Sequence, residues 1–184
     1  MKRDSIRKYF SRKKTGQVWI ETVIYTLIAF VMIGLVISYV KPKIEELQDK
    51  AVIEQSAQMM KQIDSTILIM GGAGNKRILE IGIKKGTLRI DGTNDKIIFE
   101  MQSKYTYSEP GKTINEGDIK VYTQKKGAEN IVNLTRDFSN DYNIKVLGKD
   151  EIKTISQAST SYQLSIINEG LDVNKKVILN MSVD

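Results

Sequence analysis

Between Thr22 and Val40 the chain runs nineteen residues without a charge, and no other feature restricts its fold so severely. As a helix rising ~1.5 Å per residue, the run would span roughly 28 Å, the thickness of a bilayer's hydrocarbon core. A helix in a soluble core would carry polar residues about once per turn. Here only Thr22, Thr26 and Ser38 interrupt, and each hydroxyl can bond its own helix backbone. A membrane-spanning helix is therefore expected over residues 22–40. Lys2, Arg3, Arg7, Lys8, Arg12, Lys13 and Lys14 precede it, against Lys41 and Lys43 just after it. The positive-inside rule then places the N-terminus in the cytoplasm and everything beyond Val40 outside.

The same tail accounts for the charge of the chain. Lys and Arg number 28 and Asp and Glu 22, a net +6, which alone would invite a nucleic-acid reading. With Asp4 as its one acid, the stretch up to Gly16 carries the whole excess, and residues 17–184 balance to zero. A basic groove in the body thus loses its compositional support, and no nucleic-acid partner is expected. The chain has no Cys and no His. Disulfide frameworks, thiolate nucleophiles and Cys-built metal sites are excluded, as are the usual general base near neutral pH and the commonest zinc ligand. Ser/Lys, Asp/Glu and oxygen-ligand chemistry remain, but no motif locates a catalytic site, and no enzyme activity, cofactor or metal is expected.

A secretory signal would end in a small-residue cleavage site, yet the run is followed by Lys41-Pro-Lys-Ile-Glu-Glu46. The near side is different. Lys13-Lys14-Thr15-Gly16 abuts Gln17-Val18-Trp19-Ile20-Glu21, and this resembles the class III signal of type IV pilins, most nearly that of archaeal pilins. The resemblance implies a basic leader over residues 1–16, removed by a prepilin-type peptidase between Gly16 and Gln17. It also implies a role for Glu21: the carboxylate of one subunit meets the new α-ammonium of Gln17 on its neighbour as helices bundle, which sets axial register. A carboxylate at the edge of a membrane helix costs free energy and is usually retained for a reason. Glu21 also has a plainer reading as an interfacial residue beside Trp19 in the headgroup zone, and Gly16 one as a loose joint before a helix.

After Pro42, expected to kink the chain just outside the apolar run, residues 43–70 lack Gly and Pro. Ile53, Ala57, Met60, Ile63, Ile67 and Met70 recur at helical spacing and predict one apolar face. Ile44, Leu47 and Ala51 form a stripe out of step with it, so the buried face is expected to change partner along the helix. The helix should stop at Gly71-Gly72-Ala73-Gly74-Asn75. This glycine cluster follows a helix rather than a strand and lacks a Gly-Lys-Ser/Thr ending, so it is not read as a phosphate loop.

Beyond it the period becomes two: Leu79/Ile81/Ile83, Leu88/Ile90, Ile97/Phe99/Met101, Ile119/Val121, Ile144/Val146, Tyr162/Leu164/Ile166 and Val177/Leu179/Met181/Val183. Turn signals such as Asp91-Gly92 and Pro110-Gly111 separate several of these runs. An antiparallel β-sandwich head of roughly seven strands is predicted over residues 71–184, giving an α+β chain overall. The stretch 129–142 is ambiguous, since Ile131, Leu134 and Phe138 suit a helical turn as well as an irregular connection. Asp91, Asn94 and Asp95 fit a hairpin turn better than a calcium loop, and Glu45-Glu46 reads as a solvated helix face. Two sequons, Asn133-Leu-Thr135 and Asn180-Met-Ser182, are possible N-glycosylation sites on an external head, although this composition yields roughly 1.4 such matches by accident.

The expected protein is a structural subunit of an extracellular filament. Its partners would be copies of itself, a prepilin-type peptidase, membrane assembly machinery and, before assembly, the lipid bilayer. The alternative is a single-pass anchored module whose head binds an extracellular ligand or adheres.

Overall fold

The computed structural model describes residues 14–184, with side chains from Val18 onward. The leader expected over residues 1–16 lies outside the described residues up to residue 13. Two compact units divide the chain, one ending at Ile44 and the other running Glu45–Asp184. A single α-helix, α1 (Lys14–Leu68), contains the boundary and passes through Pro42 without ending. Proline there removes the donor that would reach the Ser38 carbonyl, and the helix continues on both sides of it.

The second unit holds ten strands rather than about seven: β1 (Lys76–Ile81), β2 (Thr87–Asp91), β3 (Lys96–Ser103), β4 (Thr113–Glu116), β5 (Ile119–Lys126), β6 (Glu129–Asp137), β7 (Tyr142–Val146), β8 (Ile152–Ser156), β9 (Tyr162–Leu171) and β10 (Val177–Val183). They form a four-stranded sheet in the order β1-β9-β10-β7 and a six-stranded sheet in the order β4-β5-β6-β3-β2-β8. The chain is α+β, one long helix followed by two sheets rich in antiparallel pairs. One pair, β10 with β7, is parallel. A parallel neighbour needs a long crossover, and here β8, in the other sheet, and β9 supply it.

Each run of period two falls on a strand, with Ile83 just past the end of β1, and most of its apolar members face inward. Leu88, Ile90, Phe99, Met101, Val121 and Leu134 from the larger sheet meet Ile81, Ile144, Leu164, Ile166, Leu179 and Met181 from the smaller in one buried cluster, with Ile53, Ala57, Met60, Ile63 and Ile67 of α1. The ambiguous stretch 129–142 is mostly β6. Its buried face alternates as Asn130, Val132 and Leu134, and Ile131 turns to the other side. The helical spacing of Ile131, Leu134 and Phe138 was a coincidence that the polar Asn130 on the inner face made hard to see.

Local geometry fixes the turns. Between β1 and β2, Gly86 adopts φ +88°, and a Cβ there would stand 2.5 Å from the Glu100 carbonyl oxygen, so the turn has room for no other residue. Between β2 and β3, the Asp91 carboxylate accepts hydrogen bonds from the backbone N–H groups of Thr93 and Asn94 and from the Asn94 amide. Asp95, at φ 53°, accepts from the Ile144 N–H at 2.7 Å. As expected of a hairpin turn, the acidic loop spends its carboxylates on backbone donors.

Candidate assembly site

Residues 18–40 carry the features of a helix that crosses a membrane by length and composition, with mean hydropathy 2.5 over its most apolar window and none of that window buried. Exposure runs all the way round: Trp19, Tyr25, Phe30, Leu35 and Tyr39 are each more than half exposed. The three interrupting hydroxyls do what the sequence suggested. Thr22 donates to the Val18 carbonyl at 2.9 Å, Thr26 to Thr22 at 2.8 Å and Ser38 to Gly34 at 2.9 Å, so none presents an unpaired donor to a hydrocarbon surrounding. Trp19 and Tyr39 lie about 30 Å apart along the axis, a spacing suited to aromatic anchors at the two membrane interfaces.

Gly16 and Gln17 lie in the first turn of α1, and their side chains are outside the described residues. Glu21 stands one turn after Gln17, exposed, and is the only acidic residue between positions 17 and 44.

From Asp49 onward the helix changes character. The predicted stripe is buried at Ile53, Ala57, Met60, Ile63 and Ile67, with Met70 half-buried. Leu47 of the second stripe remains 66% exposed, and Ala51 is exposed beside it. That outward line continues as Gln55, Gln58, Gln62 and Ser65, all exposed, at spacings of four, three, four and three from Ala51. One face of the helix therefore enters the head's core, while another stays uncharged and uncovered.

Polar residues that sequence reasoning passed over hold this half in place. Asp49 is buried; its carboxylate pairs with Lys85 Nζ at 2.5 Å and accepts from the Lys104 N–H at 2.7 Å. Asp64 accepts from Arg136 Nε at 2.7 Å, and Lys61 reaches Glu116, which also accepts from the Tyr107 hydroxyl at 2.6 Å. Glu45, read as a solvated face, pairs with Lys104, and the hydrogen bond and then the charge of Glu45 raise the Lys104 pKa above its ordinary value. Burial, followed by the Glu116 contact, pushes the Tyr107 phenol upward. The glycine cluster is tied by buried Asn168, whose amide donates to the Gly71 carbonyl at 2.8 Å and whose own carbonyl accepts from Gly74 N–H at 2.7 Å. Asn168 had only a position on a strand to recommend it in the sequence.

A cleft of about 480 Å³ opens beside this half of the helix, lined among others by Gln48, Gln55, Lys84 and Glu129 with the Lys85–Asp49 and Lys104–Glu45 pairs. Its charges largely satisfy one another. The two sequon asparagines lie apart, Asn133 on β6 in the larger sheet and Asn180 on β10 in the smaller. No protein-family model, no curated protein and no solved structure matches the chain.

Proposed function

We propose that this chain is a subunit of an extracellular type IV pilus-like filament of the archaeal kind, made as a membrane precursor with its N-terminus in the cytoplasm. A prepilin-type peptidase cuts between Gly16 and Gln17, and membrane assembly machinery then transfers the helix from lipid into a bundle of like helices. The two sheets pack face to face as a sandwich and decorate the filament surface, where they serve adhesion.

The observation that carries this reading is the helix that is uncovered on every side over residues 18–40 yet belongs to a chain with a complete core elsewhere. Such a surface needs a surrounding. Lipid supplies one, and equivalent faces of neighbouring copies supply another of similar polarity, so assembly is driven by close packing rather than by expulsion of water. On this reading the Glu21 carboxylate of one subunit meets the α-ammonium of a neighbour's Gln17 as the helices bundle. Cleavage asks little of the fold, because the cut falls in the first turn, whose N–H groups have no intrahelical partner.

The test is the N-terminal residue and intact mass of the protein taken from its native membrane and from sheared surface filaments. A start at Gln17 in the sheared fraction is expected. A start at Met1 or Lys2, confined to the membrane, would overturn the filament reading and leave an anchored module with a retained basic tail.

A further inference from the structure

The filament reading makes no use of the two sequons, yet the structure treats them differently. Asn180 stands on β10 between β9 and β7, opposite Ile167 and Lys145. Its Oδ1 accepts from the Gly148 N–H at 2.9 Å and its Nδ2 donates to Glu169 at 2.6 Å. Both ends of the amide are thus engaged, tying the turn after β7 to β9. Asn133 stands on β6 with Tyr122 of β5 and Glu100 of β3 directly opposite. Its side-chain amide makes no hydrogen bond among the described residues. Val132 and Leu134 on either side are fully buried, so Asn133 and Thr135 share the outer face of the larger sheet by strand alternation.

We propose that Asn133 is where this chain carries an N-linked glycan and that Asn180 stays bare. The proposal rests on the head lying outside the cell. The donor is a glycan held on a lipid phosphate. Asn133 Nδ2 attacks its anomeric carbon, the C–N bond forms as the C–O bond to phosphate breaks, and the lipid phosphate leaves with that electron pair. The proton lost from Nδ2 passes to a carboxylate base of the transferase.

Transfer meets an extended chain, and folding must then accommodate the product. At Asn133 nothing is given up: no hydrogen bond is lost, and the Tyr122 ring stands beside the first sugar as an apolar surface with a polar tip. At Asn180 the sugar replaces one amide hydrogen and crowds the bonds to Glu169 and Gly148, so a chain modified there loses the tie between β10 and its neighbours.

Trypsin separates the two sites, releasing Gly127–Arg136 with Asn133 and Val177–Asp184 with Asn180. In protein from the native membrane or filaments, the first peptide should carry the glycan mass and the second should appear unmodified. Asn133→Gln should remove the whole increment from the intact mass, and Asn180→Gln should leave it. Recovery of Gly127–Arg136 only at its bare mass, or a glycan on Val177–Asp184, overturns the proposal. Head location is read separately with Val173→Cys, at a position 98% exposed in a chain without cysteine, using a membrane-impermeant maleimide on whole cells. Labelling with a bare Asn133 sinks the glycan and leaves the external head standing. Labelling only after lysis overturns the external head and the glycan together.

Discussion

Residues 18–40 and residues 49–67 belong to one helix, yet they obey different packing rules. Beyond Glu21 the first stretch is apolar round its circumference and exposed throughout; the second is amphipathic, with one face in the head's core and ion pairs at its flanks. A soluble domain can use only the second kind of surface, because a helix that is apolar on all sides has to be surrounded on all sides. The second stretch is therefore covered by the chain itself, whereas the first is left uncovered among the described residues. Their stabilities should be separable by mutation.

The largest separation is expected at Glu21. On the filament reading, Glu21→Ala removes the carboxylate that meets a neighbour's N-terminus, so the variant should be processed and retained in the membrane but yield few or no surface filaments. Its head should unfold at the wild-type denaturant concentration. Electron microscopy of sheared fractions, paired with N-terminal sequencing, checks this, and normal filaments would sink the register role.

Core truncation should invert that pattern. Ile63→Ala empties space within the buried cluster and should cost the head about 2–5 kcal/mol, the usual range for such a deletion. Ile33→Ala, at an exposed position in the first stretch, should leave the head's unfolding midpoint in detergent unchanged. Equal losses from the two variants would mean that the halves are not independent. Asp49→Ala should have a smaller effect, about 1–3 kcal/mol, because the Lys104 N–H loses its acceptor. Lys85 keeps access to water and recovers part of its solvation, which limits the loss.

How much of this was readable beforehand follows the same division. The apolar helix over residues 22–40 declares itself through nineteen uncharged residues in a row, and the buried stripe of residues 53–67 declares itself through period. Most strands did so through alternation. The failures share a cause. β4 and β8 are short edge strands with few buried apolar residues, such as Ile155, so they have little pattern to show. β6 hid because Asn130 occupies an inward position that a search for apolar residues skips. Asp49 and Asp64 were invisible as anchors, since their partners Lys85, Lys104 and Arg136 lie 36 to 72 residues away and only the fold brings them near. The turn formed by Asp91 was legible because its partners are two and three residues on.

That turn leads to the smallest expected effect, and acid should expose it. Burial pushes the Asp91 carboxyl up, but hydrogen bonds from the side chain and N–H of Asn94 and from the N–H of Thr93, with the charge of Arg89, outweigh it and hold the carboxyl below 3.8. Asp137 follows the same logic: burial raises it, and the hydroxyl and N–H of Ser139 with the charge of Lys96 lower it further. A carboxyl whose pKa is depressed by folding contributes stability that is present above its unfolded pKa of about 3.9 and is lost as pH falls through the folded value. The head's unfolding midpoint should thus stay level from pH 7 to about pH 5 and decline below about pH 4. Asp91→Asn combined with Asp137→Asn should lower stability at neutral pH and flatten that acid decline. The helix over residues 22–40 contains no titratable carboxylate, so in detergent its far-ultraviolet helical signal should survive acid that loosens the strands. Loss of both signals at one pH would show the head and the apolar stretch melting as a single unit and erase the distinction between them.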